Sequence, residues 1–394
     1  MARIETILSS EIPNSWKNAG RKWGSSLHRI MSRSGSFPPS LARWAVETYS
    51  ERGQTVLDPF SGKGTLPLEA CLAERFGIGN DLAPEAYVVT RAKVNPVTLR
   101  DVRDWVLRAA REMRPDTVSI YDVEEEVRVF YSPSTLKQIL AVREILANAD
   151  DDTSNFVKAI MLGILHGSSE TSLSLPCSHS FSMAPQYIKK YAAKHGLRRP
   201  NRNVLSCILR RAEAVLADGL PPRRGLAFNL DARSLPLASS SVDLIVTSPP
   251  YFNLQTYAWD NWLRLWFLGY RHEDVRRGLF ESSSIPKYRM FISAALREMY
   301  RVLRDDRACI LVVGEVFLGR RKVDMAELVS EQAADIGFEA AYIISDRIPK
   351  ESKYLMYLER GQGVDRERVL ILYKGRPVMR SPTLPWTKVK AVDT

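Results

Sequence analysis

The segment Val56-Leu57-Asp58-Pro59-Phe60-Ser61-Gly62-Lys63-Gly64-Thr65 most constrains what this chain can fold into. A short apolar strand pattern runs into a turn with two glycines, and apolar residues then recur at helical spacing from Leu66 to Arg75. Glycines in such a turn let the backbone pass close to a ligand, and the following helix offers unpaired N–H groups. It is not a phosphate-binding P-loop, because Gly64 follows Lys63 where Ser or Thr is required and Leu57 stands in place of the first glycine. It is not a dinucleotide fingerprint either, since position 67 is Pro. Asp58, at the end of the strand pattern, would meet an ammonium group and would repel a phosphate.

The same alternation recurs elsewhere. Gly77–Gly79 reads as a second strand, with a helix starting near Pro84. Strand patterns return at Val242–Thr247, Ala308–Val313, Ala340–Ile344 and Val369–Tyr373, with helical patterns at Lys287–Leu303 and Asp324–Ile336. Strands alternating with helices imply a parallel α/β sheet. Between the two strand-bearing parts, helical runs dominate (Leu136–Ala147, Phe156–Leu165 and Asn203–Ala217), with one short strand expected at Val127–Phe130. The expected architecture is one doubly wound sheet built from both ends of the chain: residues 1–100 form the cofactor-binding half, 101–223 a helical insertion, 224–375 the catalytic half and 376–394 a tail.

Acids at strand ends suggest the ligand. Asn80-Asp81 ends the second strand, where a carboxylate can accept both hydroxyls of a ribose; a helix cap is the plainer role. Asp231 ends a later strand and can accept from an adenine amino group, or serve a turn. With Asp58, these acids describe a nucleoside carrying an amino-acid tail, which is S-adenosylmethionine. Val246-Thr247-Ser248-Pro249-Pro250-Tyr251 is the second informative stretch. Two prolines after a buried strand are rigid, and Pro249 has no N–H, so the carbonyls of Ser248 and Pro249 can face outward as fixed acceptors for a planar amino group. Tyr251 offers a flat face for a base.

Asp58-Pro59-Phe60-Ser61-Gly62-Lys63-Gly64-Thr65 together with Thr247-Ser248-Pro249-Pro250-Tyr251 resembles the exocyclic-amino DNA methyltransferases, which make N4-methylcytosine or N6-methyladenine. Ser36-Phe37-Pro38-Pro39 resembles the motif that precedes the glycine turn in that family. The resemblance spans roughly residues 28–100 and 225–375. It implies a Rossmann-like methyltransferase fold, S-adenosylmethionine as cofactor and no metal. It also implies a cofactor site of Phe37, Asp58, Pro59, Phe60, Gly62, Gly64, Thr65, Asp81 and Asp231. Ser248 and the Pro249 carbonyl would hold the target amino group, Pro250 would complete the rigid turn, and Tyr251 would stack on the base. A duplex base cannot enter such a pocket, so it would be flipped out of double-stranded DNA. The Ser form of the tetrapeptide points to N4 of cytosine. The motif order, with the glycine turn first, is the reverse of many N4-cytosine enzymes and leaves N6 of adenine open. RNA amine methylation is a further alternative, as is a silent DNA-binding protein on this fold. The presence of both Asp58 and Ser-Pro-Pro-Tyr argues against the silent form.

The chain is 394 residues long with a formal net charge of +11. The basic residues are gathered: Lys189, Lys190, Lys194, Arg198, Arg199, Arg202, Arg210, Arg211, Arg223 and Arg224 face only Glu213 and Asp218 between positions 189 and 224. Within this run, Lys189, Lys190, Arg198, Arg199 and Arg202 are expected to meet phosphate backbone. A cognate restriction endonuclease would be the partner in a restriction–modification setting; whether one exists, and the oligomeric state, are not legible in the sequence. Cys71, Cys177, Cys207 and Cys309 form no Cys-x-x-Cys pair and read as reduced thiols, and Pro176-Cys177 is too short a match for a covalent nucleophile. His166, His179 and His195 are spaced too widely for a helix-borne metal pair. No apolar run reaches the roughly 18 residues of a membrane span, and the N-terminus lacks the apolar core of a secretory signal, so the expected address is the cytoplasm. Trp259, Trp262 and Trp266 have helical spacing that suggests core packing. The Arg- and Ser-rich residues 271–286 are expected as a loop over the active site.

Overall fold

The computed structural model describes residues 4–7, 23–32, 36–176, 185–252, 257–318, 321–347 and 366–376. The strands are β1 (Ile4–Ile7), β2 (Thr55–Asp58), β3 (Phe76–Asn80), β4 (Leu226–Phe228), β5 (Val242–Thr247), β6 (Leu303–Leu318), β7 (Arg321–Asp324), β8 (Ala340–Arg347) and β9 (Arg366–Lys374). They pair in the order β1-β8-β9-β6-β5-β2-β3-β4, with β7 hairpinned onto β6. The core of the sheet is parallel; β9 enters it antiparallel, between β6 and β8. β2 sits where chain order reverses, pairing with β3 on one side and β5 on the other. Open α/β sheets hold ligands at the carboxyl ends of strands flanking that reversal.

The sheet is covered on both faces, and the period-two alternation of its strands divides the core. Val56, Leu244, Val246, Ile310 and Val312 join a cluster with Leu41, Ala45, Leu66 and Ala70. Those last four lie on helices α1 (Pro39–Tyr49) and α2 (Thr65–Leu72). The intervening Leu57, Ile245, Cys309 and Leu311 point the other way, to a cluster with Ile292, Leu296, Met299 and Val329. This explains why β5 reads as an apolar run apart from Asp243 and Thr247: all six residues are buried. Asp243 is held by the Thr55 N–H and by the Arg304 guanidinium.

Helix α3 (Pro84–Val94) follows β3. From there to β4 the described elements are helical, chiefly α4 (Leu99–Glu112), α5 (Pro133–Ala147), α6 (Asp152–Ile164), α7 (Pro185–Lys194) and α8 (Val204–Val215). They share a third apolar cluster with Val88, Val89 and Ala92 of α3 and with Trp262 and Phe267 of helix α9 (Trp262–Leu268). The C-terminal half adds α10 (Ile285–Val302) and α11 (Met325–Ile336).

The strand expected at Val127–Phe130 is a helical turn, Glu125–Arg128. Val127 and Phe130, three residues apart, are both buried, which is helical spacing; a strand would have placed them on opposite faces. Cys71, Cys207 and Cys309 are buried free thiols, and burial pushes Cys71 up to about 11. Cys177, His179 and nearly all of the expected tail lie outside the described residues. No described helix is long and apolar enough to cross a membrane.

Candidate active site

β2 delivers Asp58 to the sheet end, 1% exposed. Its Oδ1 accepts from Thr247 Oγ1 at 2.6 Å and from the Phe60 N–H at 3.1 Å. Desolvation outweighs these bonds and pushes the carboxyl up to about 7. The chain then turns through Gly62 and Gly64, at φ 52° and 69°. Gly64 opens α2, where an added Cβ would meet Thr90 Cα and Oγ1 at 2.9 Å. Its lack of a side chain therefore serves packing on α3. From behind, buried Lys93 on α3 donates to the Lys63 carbonyl at 2.6 Å, and Ser61 Oγ meets Thr90 Oγ1 at 3.0 Å.

Asp81 links the turn to the end of β3. Its Oδ2 accepts the Gly62 N–H at 2.8 Å and its Oδ1 the Ala83 N–H at 2.9 Å. Cap and site residue are thus one residue here, because each carboxylate oxygen retains a further acceptor position. Its neighbour Asn80, 1% exposed, donates to the carbonyls of Pro59 and Leu230 and accepts the Leu230 N–H, joining the turns after β2 and β4. Asp231 is taken up by Arg233: guanidinium Nε and Nη2 reach its two oxygens at 3.0 and 2.6 Å, which holds the carboxyl below its usual range.

At the end of β5 a cleft of about 290 Å³ opens. Pro59, Phe60, Gly62, Asp81, Asp231, Ser248 and Pro250 of the sequence-derived site line it. Phe37, Asp58, Gly64, Thr65 and Pro249 are buried and off the lining, with Ser36 reaching it in place of Phe37. Ser248 Oγ is buried and has no hydrogen-bond partner among the described residues. Tyr251 is half-buried, and its N–H donates to the hydroxyl of Tyr257 at 3.4 Å; Tyr257, not Tyr251, is on the lining.

The 271–286 stretch, expected as a loop over the active site, lies against the cleft; it forms a short helix, His272–Gly278, and contributes Arg277, Leu279 and Phe280 to the lining. Phe280 stacks on Phe291 of α10 at 4.1 Å and 17°, and Phe60 packs 5.9 Å from Phe291. The signal in the sequence was the Arg- and Ser-rich composition of the stretch; Phe280 and Phe291 were not singled out, because their stacking depends on α10 packing beside it.

The cleft suits S-adenosylmethionine by its donor set: a carboxylate at each of two adjacent strand ends for nucleoside polar groups, an aromatic wall for a base, and an orphaned hydroxyl at the third strand end. No group of three or more His, Cys, Asp or Glu residues suited to a metal occurs among the described residues.

Residues 6–91 match the model of the N6/N4 family described as DNA methylase. Over this stretch, less than a quarter of its length, the chain is similar to that family. The methyltransferase match takes in Asp58–Thr65 and Asp81 and ends well before Ser248. Curated protein sequences yield no match. Among solved structures, TrmN from Thermus thermophilus is 15% identical with a TM-score of 0.36, over 88% of this chain and 52% of that one. The chain thus spans about half of TrmN. An S-adenosylmethionine-dependent methyltransferase from Methanosarcina mazei is 12% identical with a TM-score of 0.33, over 84% and 96%. The rRNA methyltransferase AviRa from Streptomyces viridochromogenes is 14% identical with a TM-score of 0.31, over 90% and 94%. All three likenesses are distant.

The basic residues read as DNA contacts lie on the helical part. Lys189 and Lys190 are exposed on α7, with Lys189 paired to Glu125. Arg198 and Arg199 are exposed and line a groove of about 560 Å³ with Val129, Ser132 and Lys189. Arg202 is half-buried, its backbone N–H donating to Thr135 Oγ1.

Proposed function

We propose that this chain methylates an exocyclic amino group of a base in DNA, N4 of cytosine by first choice, with S-adenosylmethionine as donor. One observation carries the reading: Ser248 Oγ, buried and unpartnered among the described residues, shares a cleft with Asp81, Gly62 and Asp231 at the reversal point of the sheet. An unsatisfied buried hydroxyl costs roughly 1–3 kcal/mol, and a ligand amino group would recover that.

When bound, S-adenosylmethionine supplies an activated methyl group on a sulfonium. The chain's part is to hold, align and dry the reactants. Asp81 would accept ribose hydroxyls and Asp231 the adenine amino group, while Phe60 and the Phe280–Phe291 pair offer apolar surface. Asp58, bonded to the Phe60 N–H and off the cleft lining, would act on the amino-acid end from within the turn, and Phe37, Pro59, Gly64 and Thr65 would shape that turn. Ser248 Oγ and the Pro249 carbonyl would take the target amino hydrogens and aim the nitrogen lone pair at the methyl carbon. Pro250 keeps that turn rigid, and Tyr251 would stack on the base.

The target base would leave the duplex to reach this cleft, with Lys189, Lys190, Arg198, Arg199 and Arg202 on the phosphate backbone. The setting would be restriction–modification or epigenetic marking, the former with a cognate endonuclease, in the cytoplasm. N6 of adenine is the second reading, favoured by the glycine turn preceding Ser-Pro-Pro-Tyr in the chain. Tritiated methyl transfer to DNA and to RNA, followed by nucleoside analysis, separates these. Label on neither polymer overturns the proposal.

A further inference from the structure

Helix α7 carries two kinds of face. Ile188 is 1% exposed and anchors the helix to the third core cluster. A neighbouring side runs Tyr187, Lys190, Tyr191, Lys194 and His195, a spacing of three and four residues that forms one stripe. The helix ends there, with Gly196 at φ 61°, and Arg198 follows outside it. Tyr187 stacks on Tyr191 with centroids 5.9 Å apart at 20°, and Tyr191 meets the His195 ring at 4.2 Å and 38°. Tyr187 is 47% exposed, and Lys190, Lys194, His195 and Arg198 are exposed beside this ladder of rings.

Rings stacked along a helix, outermost face in solvent and cations at one flank, match an unpaired nucleic-acid strand: bases continue the stack and phosphates meet the ammonium groups. A duplex shows no base faces along its length and would use the lysines only. A protein partner is less suited, since the large apolar side chains on this stripe are the two tyrosines and, although Glu125 takes up Lys189, Lys190 and Lys194 are exposed beside them.

We infer that the Tyr187–Tyr191–His195 ladder with Lys190 and Lys194 is a docking surface for single-stranded DNA, the form a strand takes beside an extruded target base. The choice of DNA rests on the proposed function; the stacking geometry does not. Tyr187 is the residue to change, because Tyr191 also packs against the core.

The test uses the full chain with fluorescein-labelled dT12 and a 12-base-pair duplex, and measures S-adenosylmethionine affinity calorimetrically on the same samples. Tyr187→Ala is expected to weaken dT12 binding roughly tenfold, within the range for loss of one stacked base, and to change duplex affinity less than twofold. Tyr187→Phe should bind dT12 like the unaltered chain. Lys190→Ala with Lys194→Ala should weaken both polymers and flatten both salt dependences. Equal loss on dT12 and duplex for Tyr187→Ala, no loss on either, or a changed oligomeric state overturns the inference. Loss of cofactor binding has separate meaning: absent in the unaltered chain while dT12 still binds through Tyr187, it defeats the methyltransferase reading and leaves the docking surface standing.

Discussion

Thr247 Oγ1 donates a 2.6 Å hydrogen bond to Asp58 Oδ1 across 189 residues of chain, fastening the end of β2 to the end of β5. These ends carry the glycine turn and Ser-Pro-Pro-Tyr respectively, so this buried contact extends the β2–β5 pairing to the two turns. Asp58 holds this place at an electrostatic cost, since burial pushes its carboxyl up to about 7 from 3.8.

That shift fixes a pH dependence. The folded carboxyl binds its proton more tightly than the unfolded one, so its contribution to stability is complete below about 4 and is lost as pH rises through about 7. Asp58→Asn, which keeps an acceptor for Thr247 and Phe60, should gain Tm relative to the unaltered chain between pH 5 and pH 8. His28, pushed down to about 4 by burial, acts in the opposite sense over its own window, with stability rising from about pH 4 to 6.5. The difference between variant and unaltered chain at each pH removes that background. Parallel Tm profiles would show that Asp58 stays ionised throughout.

The glycine turn offers a controlled comparison. Gly64 and Gly53 both sit at positive φ, 69° and 83°, but of the two it is at Gly64 that an added Cβ runs into backbone and side chain of Thr90. Gly53→Ala should cost the roughly 1–2 kcal/mol of a left-handed L-residue. Gly64→Ala should cost that plus about 1–3 kcal/mol of overpacking. Denaturant midpoints measure the difference, and equal losses would mean that α3 yields around Thr90.

Cofactor binding and turnover should separate by residue. Asp81→Ala removes the acceptor for the Gly62 and Ala83 N–H groups and should weaken S-adenosylmethionine binding at least tenfold, with turnover at saturation less affected. Ser248→Ala should do the reverse. Because Ser248 Oγ is unpartnered among the described residues, its removal should leave Tm unchanged or slightly higher while methyl transfer drops. Tyr251→Ala should likewise lower turnover far more than cofactor affinity. Calorimetric binding beside tritiated transfer reads both; a Ser248→Ala variant with full turnover would remove the hydroxyl from the reaction.

The readings that followed from local pattern match the structure closely. β5 occupies Val242–Thr247 as its apolar run implies, and α11 occupies nearly the expected span. Glycine turn, strand-end acids and Ser-Pro-Pro-Tyr are local too. What escaped depends on residues brought together from far apart. Arg233 taking Asp231 needs only a turn, yet its alignment over Phe291 at 5.8 Å depends on α10 packing against the sheet. Phe60 meeting Phe291 joins opposite ends of the chain. Asn80 looked like a companion of Asp81, but its amide bonds to Pro59 and Leu230 exist only because three strand ends are adjacent. The error at Val127–Phe130 has a simpler cause: alternation over four residues does not distinguish a strand from one helical turn.

The basic groove tests whether the helical part meets nucleic acid at all. Arg198 and Arg199 are exposed along it, whereas Arg202 is half-buried with its guanidinium Nε out of solvent. Replacing all three with Ala should weaken duplex binding and reduce the slope of log affinity against log salt by about 0.9 for each phosphate no longer neutralised. Exposure assigns most of that to Arg198 and Arg199, so the pair alone should reproduce nearly the whole effect and Arg202→Ala little of it. Arg108→Ala, exposed on α4, serves as the surface-charge control, because net charge by itself affects binding weakly and without a matching change of slope. Fluorescence anisotropy across a salt series measures the slopes. Unchanged affinity and slope in the triple variant would move the phosphate contacts elsewhere, with the cleft-side arginines Arg233 and Arg277 as the next candidates.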